Sequence, residues 1–293
     1  MDPTSKRQKL VALLALASSP LIFSSLAWPW GRRAHEVVNE LASKNLPEPL
    51  RTYFQSRQAY FVEHSTDPDL LAKDDPSERP HHYINGDANE RYPFPRLEEH
   101  FFREHRAPTA LEKRNGDVIW QIETYVLRLT KDFKDKRWDD ADHDAVYVAH
   151  YAADLTQPLH TVSNYDGQLT HQAGIHARFE TELVNALNGR LKLAPQPAAA
   201  ILNLRARIFG EYLASYRRSK DVLGADRSAV AGRTYLDPGF FPAFSKAAQP
   251  LAEERLSAAI SFVSSLWYTA WVGAGQPRLL GAARSPSMRR EEK

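Results

Sequence analysis

Residues 150–160 read HYAADLTQPLH, and this stretch places His150, Asp154 and His160 at short, regular intervals. Residues i and i+4 lie on one face of a helix, so His150 and Asp154 can point at the same ion. Pro158 lacks a backbone N–H and ends a helix, which turns the chain just before His160. The stretch therefore predicts a helix with two possible metal ligands on one face, followed by a turn that presents a third.

A second stretch repeats the arrangement, because HARFE places His176 and Glu180 four residues apart. All eleven histidines lie between His35 and His176, and the 117 residues that follow contain none. A single pair of this kind is commonly a helix salt bridge, but two pairs in one histidine-rich region favour a metal site. The chain has no cysteine, so histidine, carboxylate or backbone groups must hold the ion.

The rest of the sequence predicts an all-α protein. Apolar residues at helical spacing and helix-forming composition indicate helices over 33–46, 49–65, 116–134, 142–155, 175–188, 198–218 and 251–272. Proline-rich segments at 66–87 and 92–100 predict turns and loops. No run of alternating strands, tandem repeat or long linker is present. We expect one compact multi-helix domain over residues 28–273, followed by a flexible tail over 274–293.

The first 27 residues have the pattern of a secretory signal peptide. Three basic residues precede the apolar stretch LVALLALASSPLIF, and SLA at 25–27 supplies small residues before a cut after Ala27. An uncleaved membrane anchor is the alternative. Removal of residues 1–27 takes away three basic residues and one acidic residue and leaves 35 of each charge. We expect a secreted or periplasmic, nearly neutral protein, which is not typical of a globally basic nucleic-acid-binding protein.

The possible ligands occur in a characteristic order. They are Trp28, His35, Asp69, His82, His150, Asp154, His160, His176 and Glu180. In this order and spacing the chain resembles the zinc-dependent phospholipase C family, which shares its fold with the single-strand-specific zinc nucleases. The resemblance covers residues 28 to about 188 and is most specific between His150 and Glu180. It implies an all-helical domain that holds three clustered zinc ions.

The resemblance also implies how the ligands are divided. One ion would take Asp69, His82, His150 and Asp154, and a second would take His160, His176 and Glu180. A third would take His35, Asp154 as a bridge, and the amine and carbonyl oxygen of an N-terminal tryptophan. Cleavage after Ala27 fits signal-peptidase chemistry and favours Trp28 as that residue, with Trp30 packing beside the site. The alternative is Trp30, which has the five-residue spacing to His35 that is usual in the nuclease branch. The alternatives for Asp69, His82 and His176 are Asp67, His81 and His171.

The resemblance implies a zinc-dependent phosphodiester hydrolase in which water attacks phosphorus and Asp69 acts as the base. Glu180 at the end of HARFE resembles the phospholipase branch and favours a phospholipase C-like enzyme, and the loops YPFP and FFPAF offer aromatic residues to lipid. A nuclease or nucleotidase is the alternative, with Tyr83, Tyr92, Phe94 and Tyr165 as candidates for base stacking. The substrate is then a phospholipid or a single-stranded nucleic acid. No obligate protein partner is evident, and we expect at most transient membrane contact.

Two further classes compete with these. The adjacent pair His143–Asp144 is typical of another superfamily of metal phosphohydrolases. A non-catalytic secreted helical protein could instead use the ions for stability, because metal binding contributes to the free energy of folding. Asn85, Asp87 and Asp166 are candidates for orienting the imidazoles, although each is also typical of a turn.

Overall fold

The computed structural model describes residues 30–103 and 107–279, and within these ranges the chain is helical with no β-strand. The helices are α1 (Arg32–Lys44), α2 (Leu50–Ser56), α3 (Gln58–Glu63), α4 (Asp67–Asp74), α5 (Pro95–Phe102), α6 (Ala110–Arg114), α7 (Val118–Asp135), α8 (Trp138–Thr156), α9 (Ile175–Ala177), α10 (Leu183–Ala186), α11 (Leu204–Val230) and α12 (Phe240–Gly273). The predicted all-α class is confirmed. The expected signal peptide, Trp28 and the tail beyond residue 279 lie outside the described residues.

Helix α8 lies at the centre of the domain. Every residue from Asp144 to Thr156 is buried, and α7 and α12 pack along the helix. Alanines at 145, 149, 152 and 153 leave room for these neighbours. The indole Nε1–H of Trp267 in α12 donates to the carbonyl oxygen of Ala145 at 2.9 Å. A polar side chain on α8 is therefore held inside the protein rather than in water.

Two of the segments predicted as turns and loops contain helices, so the prediction was wrong there. Helix α4 has Pro68 in its first turn, and α5 begins at Pro95. Proline is compatible with the first turn of a helix, because the N–H that it lacks would have no partner within the helix. Leu97 and Phe101 are buried and fix α5 on the core.

The chain between α10 and α11 forms an extended strap over residues 192–201, so α11 begins at Leu204 rather than at 198. Backbone N–H groups of the strap donate to side chains of α12. The acceptors are Glu253, Ser257, Ser261, Ser265 and Thr269. They recur every four residues, so they form one stripe along α12 that satisfies the polar backbone of the strap. Every helix in the described part of the chain is too short or too polar to cross a membrane.

Candidate metal centre

The structure brings eight of the nine predicted ligand residues together as three groups of buried donors. They are His35–His150–Asp154, Asp69–His82–His150 and His160–His176–Glu180, and in each group the donor atoms lie within 4.8 Å of one another. Trp28, the ninth, lies outside the described residues. His150 belongs to two groups, so the first two share one imidazole.

The first two groups are built around α8. His150 Nε2 lies 3.3 Å from Asp154 Oδ2, as their spacing on the helix predicts. Helix α1 brings His35 Nε2 to 3.4 Å from Asp154 Oδ1, and the His35 and His150 rings stack with centroids 4.1 Å apart. Helix α4 brings Asp69 Oδ1 to 3.5 Å from His150 Nε2. The 3₁₀ turn over Arg79–His82 completes the set by bringing His82 Nδ1 to 3.0 Å from Asp154 Oδ2.

The third group lies where α8 ends. Pro158 begins a 3₁₀ turn that presents His160, as the sequence predicts. His176 in α9 and Glu180 in the following π-helical turn, Arg178–Glu182, approach with Nε2 and Oε2 2.8 Å apart. His160 Nε2 lies 3.1 Å from His176 Nε2. π-Helical turns are frequent at functional sites, and this one carries a donor.

The donor atoms are arranged to bind cations rather than to form hydrogen bonds with one another. Asp69 Oδ1, Asp154 Oδ1 and both ring nitrogens of His35 are buried without a hydrogen-bond partner among the described residues. Buried polar atoms are normally paired, because leaving them unpaired costs about 1–3 kcal/mol each. Imidazole nitrogens and carboxylate oxygens without cysteine are the donors that zinc accepts. The residues present therefore fit metal ions of this kind.

Backbone carbonyls orient three of the imidazoles. The Nδ1 atoms of His150, His160 and His176 lie 2.9, 2.9 and 3.0 Å from the carbonyl oxygens of Ser65, His82 and Tyr165. A carbonyl accepts only, so Nδ1 must carry the proton. Nε2 is then the nitrogen of each neutral ring that can offer a lone pair to an ion in its donor group.

Burial and neighbouring charges set the protonation of the centre. Burial and the nearby His150 lower the pKa of His35. Burial also opposes charge on His150 and Asp154, but their mutual attraction prevails, raising the pKa of His150 and lowering that of Asp154. Glu180 likewise has a lowered pKa, because attraction to His176 and hydrogen bonds to the two imidazoles outweigh its burial. Asp154 and Glu180 are thus ionised inside the protein, where a bound cation would stabilise them.

The alternative ligands lie elsewhere. Asp67 pairs with the half-exposed His64 at 2.7 Å, and His81 pairs with Asp117 at 2.6 Å. His171 is exposed on a loop. None of Asp67, His81 and His171 belongs to a donor group among the described residues.

The His143–Asp144 pair is also outside the three groups. Both oxygens of Asp144 accept hydrogen bonds from Arg128, at 2.9 and 2.8 Å. Asp144 is therefore engaged in a structural ion pair between α7 and α8, and nothing in this geometry supports the alternative hydrolase superfamily.

Two contributors beside the donors were missed by sequence reasoning. Gln157 donates from Nε2 to Glu180 Oε2 at 3.1 Å, and its Oε1 accepts from Leu159 N–H. Glu78 accepts a hydrogen bond from Tyr151 beside His82. Gln157 could have been found from its place before Pro158 in the opening stretch, but nothing in the sequence marks Glu78.

The loop residues proposed to orient the imidazoles act mainly in turns. Asp87 accepts from the N–H and hydroxyl of Ser163, both at 2.8 Å. Asp166 Oδ1 accepts from the N–H of Gly174 at 3.0 Å and of His176 at 3.3 Å. These bonds shape the loop between His160 and His176.

Trp30 is fully buried beside the centre. Its ring packs on Phe179, with centroids 5.7 Å apart. A Cβ on Gly31 would lie 2.6 Å from the hydroxyl oxygen of Thr181, so glycine allows the chain before α1 to approach the π-helical turn closely. Trp30 thus packs next to the turn that holds Glu180.

The C-terminal helices support the end of α8. The guanidinium of Arg255 in α12 donates to the carbonyl oxygen of Thr156 at 3.0 Å, to Glu211 in α11, and to Ser215 Oγ at 3.0 Å. Arg255 and Glu211 are both buried. Thr156 is the last residue of α8, two positions after Asp154, so this ion pair holds the helix that carries the first donors.

Among the four aromatic candidates, Tyr165 lies beside a donor: it is 43% exposed and its ring is 6.2 Å from that of His176. Tyr83 follows His82 in the chain, but its hydroxyl donates to the carbonyl oxygen of Arg114 at 3.4 Å. Phe94 is buried in the core, and Tyr92 stacks on Tyr216 at 5.8 Å. Of the four, Tyr165 is the one placed to meet a molecule bound at the centre.

A comparison with protein families matches residues 30–185, more than half of the chain, to the family described as S1/P1 nuclease. The match begins at Trp30 and includes all eight donors of the three groups. A comparison with curated proteins finds no match.

Proposed function

The chain belongs to the S1/P1 nuclease family, whose members are zinc-dependent phosphodiester hydrolases, and from this premise we propose that its substrate is single-stranded nucleic acid. The observation that carries the proposal is that the family match includes every donor of the three groups. The phospholipase C-like function favoured by HARFE has no support from the comparisons, and the nuclease alternative fits the family better.

We propose that three zinc ions are held as the resemblance implies. Asp69, His82, His150 and Asp154 would hold one, and His160, His176 and Glu180 would hold another. His35 and Asp154 would hold the third with an N-terminal tryptophan. Bound zinc would neutralise the phosphodiester charge and make a water molecule acidic enough to act as a nucleophile.

The protein's own groups then position the reactants. Asp69, which is 5% exposed, would bind zinc through Oδ1, the oxygen that lies with the imidazoles, and would accept the proton of the attacking water on its other oxygen. The buried helix α8 and the carbonyl-bonded imidazoles keep the donors in place, so little reorganisation accompanies the reaction. Asp69 is the only residue to which we assign a proton transfer.

Tyr165 supports a nucleic-acid substrate. Its exposed ring lies 6.2 Å from that of His176, so a base next to the reacting phosphate can stack on it. Stacking contributes about 1–3 kcal/mol per base and needs an unstacked base, which a single strand offers and a duplex does not. This favours single strands without requiring a basic protein surface.

The aromatic loops that suggested lipid binding are mostly inside the protein. Phe94 in YPFP and Phe240 and Phe244 in FFPAF are buried, and Phe241 packs against the core. Their apolar surface is used in packing and is not presented to a membrane. This removes one of the two arguments for a phospholipase.

The decisive experiment compares purified mature protein on single-stranded DNA, duplex DNA and phosphatidylcholine vesicles, with zinc and with a chelator. We expect zinc-dependent cleavage of single-stranded DNA, slower cleavage of the duplex and no release from the vesicles. Cleavage of phosphatidylcholine alone would establish the phospholipase instead. Cleavage of no substrate by zinc-loaded protein would favour the non-catalytic alternative.

We further propose that the mature chain is secreted or periplasmic and begins at Trp30 rather than at Trp28. The burial of Trp30 against Phe179 and the start of the family match at the same residue support this choice. It requires a second cut after Pro29, following signal-peptide removal after Ala27. Mass spectrometry of the exported protein tests it, and a terminus at Trp28 would contradict it.

A further inference from the structure

The orientation of His82 differs from that of the three imidazoles whose Nδ1 meets a backbone carbonyl. Its Nδ1 faces the donors, 3.1 Å from His150 Nε2 and 3.7 Å from Asp69 Oδ1. The opposite ring nitrogen, Nε2, is buried and has no hydrogen-bond partner among the described residues. His82 therefore lacks the backbone carbonyl that orients His150, His160 and His176.

A buried carboxylate lies on the outer side of this ring. Glu78 Oε1 is 3.7 Å from His82 Nε2, slightly beyond hydrogen-bond distance, and Glu78 is 8% exposed. Glu78 precedes His82 by one helical turn, at the start of the 3₁₀ segment that carries the histidine. A small rotation of either side chain would bring the two atoms into contact.

Tyr151 holds this carboxylate in place. Its hydroxyl donates to the same oxygen, Glu78 Oε1, and its side chain is completely buried. The ring meets His82 and His150 edge to face, with centroids 5.5 and 5.8 Å away. Tyr151 thus lies between two imidazoles of the donor group and points its hydroxyl at Glu78.

We propose that Glu78, held by Tyr151, is a positioning residue that accepts the Nε2–H of His82 and so directs its Nδ1 lone pair at the metal. This inference rests on the proposed zinc site. A carboxylate on the outer nitrogen of a ligand histidine fixes the tautomer and strengthens the donor, and losing such a partner weakens metal affinity about 10–100-fold. Glu78 touches neither substrate nor donor oxygens and acts only through His82.

The first test measures zinc affinity by chelator competition, using metal-free protein reloaded with zinc. We expect Glu78→Ala to weaken one of the bound ions about 10–100-fold, with a smaller effect for Glu78→Gln, which keeps an acceptor oxygen. Tyr151→Phe should weaken the same ion less than Glu78→Ala does. Glu112→Gln is the matched control, because Glu112 pairs with His100 at 2.5 Å and neither residue is in a donor group.

The second test separates positioning from simple structural support. Nitrogen-15 NMR of the histidine rings in zinc-loaded protein should show a hydrogen-bonded Nε2–H on His82 in the wild type, and in Glu78→Ala the same N–H should shift and exchange faster with water. A carboxylate that only stabilised the fold would lower the unfolding midpoint and leave the His82 Nε2–H resonance unchanged. The conservative variants Glu78→Gln and Tyr151→Phe keep the test decisive if the alanine variant does not fold.

The outcomes for the two proposals are distinct. Wild-type zinc affinity and an unchanged His82 Nε2–H resonance in all three variants would overturn the role of Glu78, whatever the activity of the enzyme. Failure of zinc-loaded wild type to cleave any nucleic acid would overturn the proposed function, while weakened zinc binding in Glu78→Ala would still establish the positioning role.

Discussion

Removing the buried guanidinium of Arg255 tests whether the C-terminal helices support the metal-bearing helix. Arg255→Met keeps the volume and deletes the charge. It leaves the Glu211 carboxylate, which is 5% exposed, without its buried partner and removes a donor from the carbonyl of Thr156. Breaking a buried ion pair costs about 3–5 kcal/mol. Arg207, which is partly exposed, still reaches Glu211 at 2.6 Å. We therefore expect Arg255→Met to lower the free energy of unfolding by about 3 kcal/mol, the low end of that range.

The matched control is Arg218→Met. Arg218 pairs with Glu254 across the same two helices with two hydrogen bonds of 2.9 and 2.8 Å, but both side chains are about 40% exposed. Exposed ion pairs contribute about 0–1 kcal/mol. We therefore expect Arg218→Met to lower the free energy of unfolding by less than about 1 kcal/mol.

The measurement is urea unfolding of the metal-free protein at pH 7, followed by circular dichroism. Attraction to Arg255 and Arg207 outweighs burial and lowers the pKa of Glu211, so the ion pair stabilises the fold at pH 7 and this stabilisation is lost as the pH falls below the normal range of a glutamate. The difference in free energy of unfolding between wild type and Arg255→Met should therefore become smaller at acidic pH.

Adding Glu211→Leu to Arg255→Met should recover most of the lost stability, because the unpaired charge is gone. Equal losses for Arg255→Met and Arg218→Met, or no recovery in the double variant, would refute the reasoning.

Three further predictions concern the base, a buried carboxyl pair and the strap. Asp69→Asn should lower nuclease activity about 10²–10⁴-fold while helical content is kept, and full activity would show that Asp69 is not the base. Burial and the neighbouring Asp144 carboxyl raise the pKa of Asp132, so its ionisation destabilises the fold as the pH rises. Relative to wild type, the free energy of unfolding of Asp132→Asn should therefore increase as the pH rises above the normal range of an aspartate, as measured by urea unfolding, and a decrease would contradict this. Ser261→Ala removes the acceptor for the Gln196 N–H and should cost about 1 kcal/mol in the same assay, whereas an unchanged midpoint would mean that the strap does not depend on that bond.

Local features of the centre could be predicted because they depend on residues close in the chain. The spacings His150–Asp154 and His176–Glu180 place each pair on one helical face whatever the rest of the fold does, and Pro158 ends α8 for a backbone reason. The helices α4 and α5 were missed because the sequence alone does not distinguish a proline in the first turn of a helix from a proline in a loop.

The spacing of residues in the sequence could not predict which distant segments of the chain pack against α8 at the centre. His35, Asp69 and His82 meet α8 only because α1, α4 and the Arg79–His82 turn pack against it. Their inclusion in the prediction came from resemblance to a family. Nothing local distinguishes Asp69 from Asp67, or His82 from His81; the direction in which each side chain points after packing does so.

The sequence by itself determined the helical class, the i,i+4 donor pairs and the turn at Pro158, because these follow from short-range backbone geometry and from periodicity. Tertiary structure alone decided the outer contacts of the imidazoles, the place of Glu78 and Tyr151 beside His82, and the support of Thr156 by Arg255. These depend on side-chain packing between segments far apart in the chain, and a distance of one ångström decides whether a carboxylate touches a ring nitrogen.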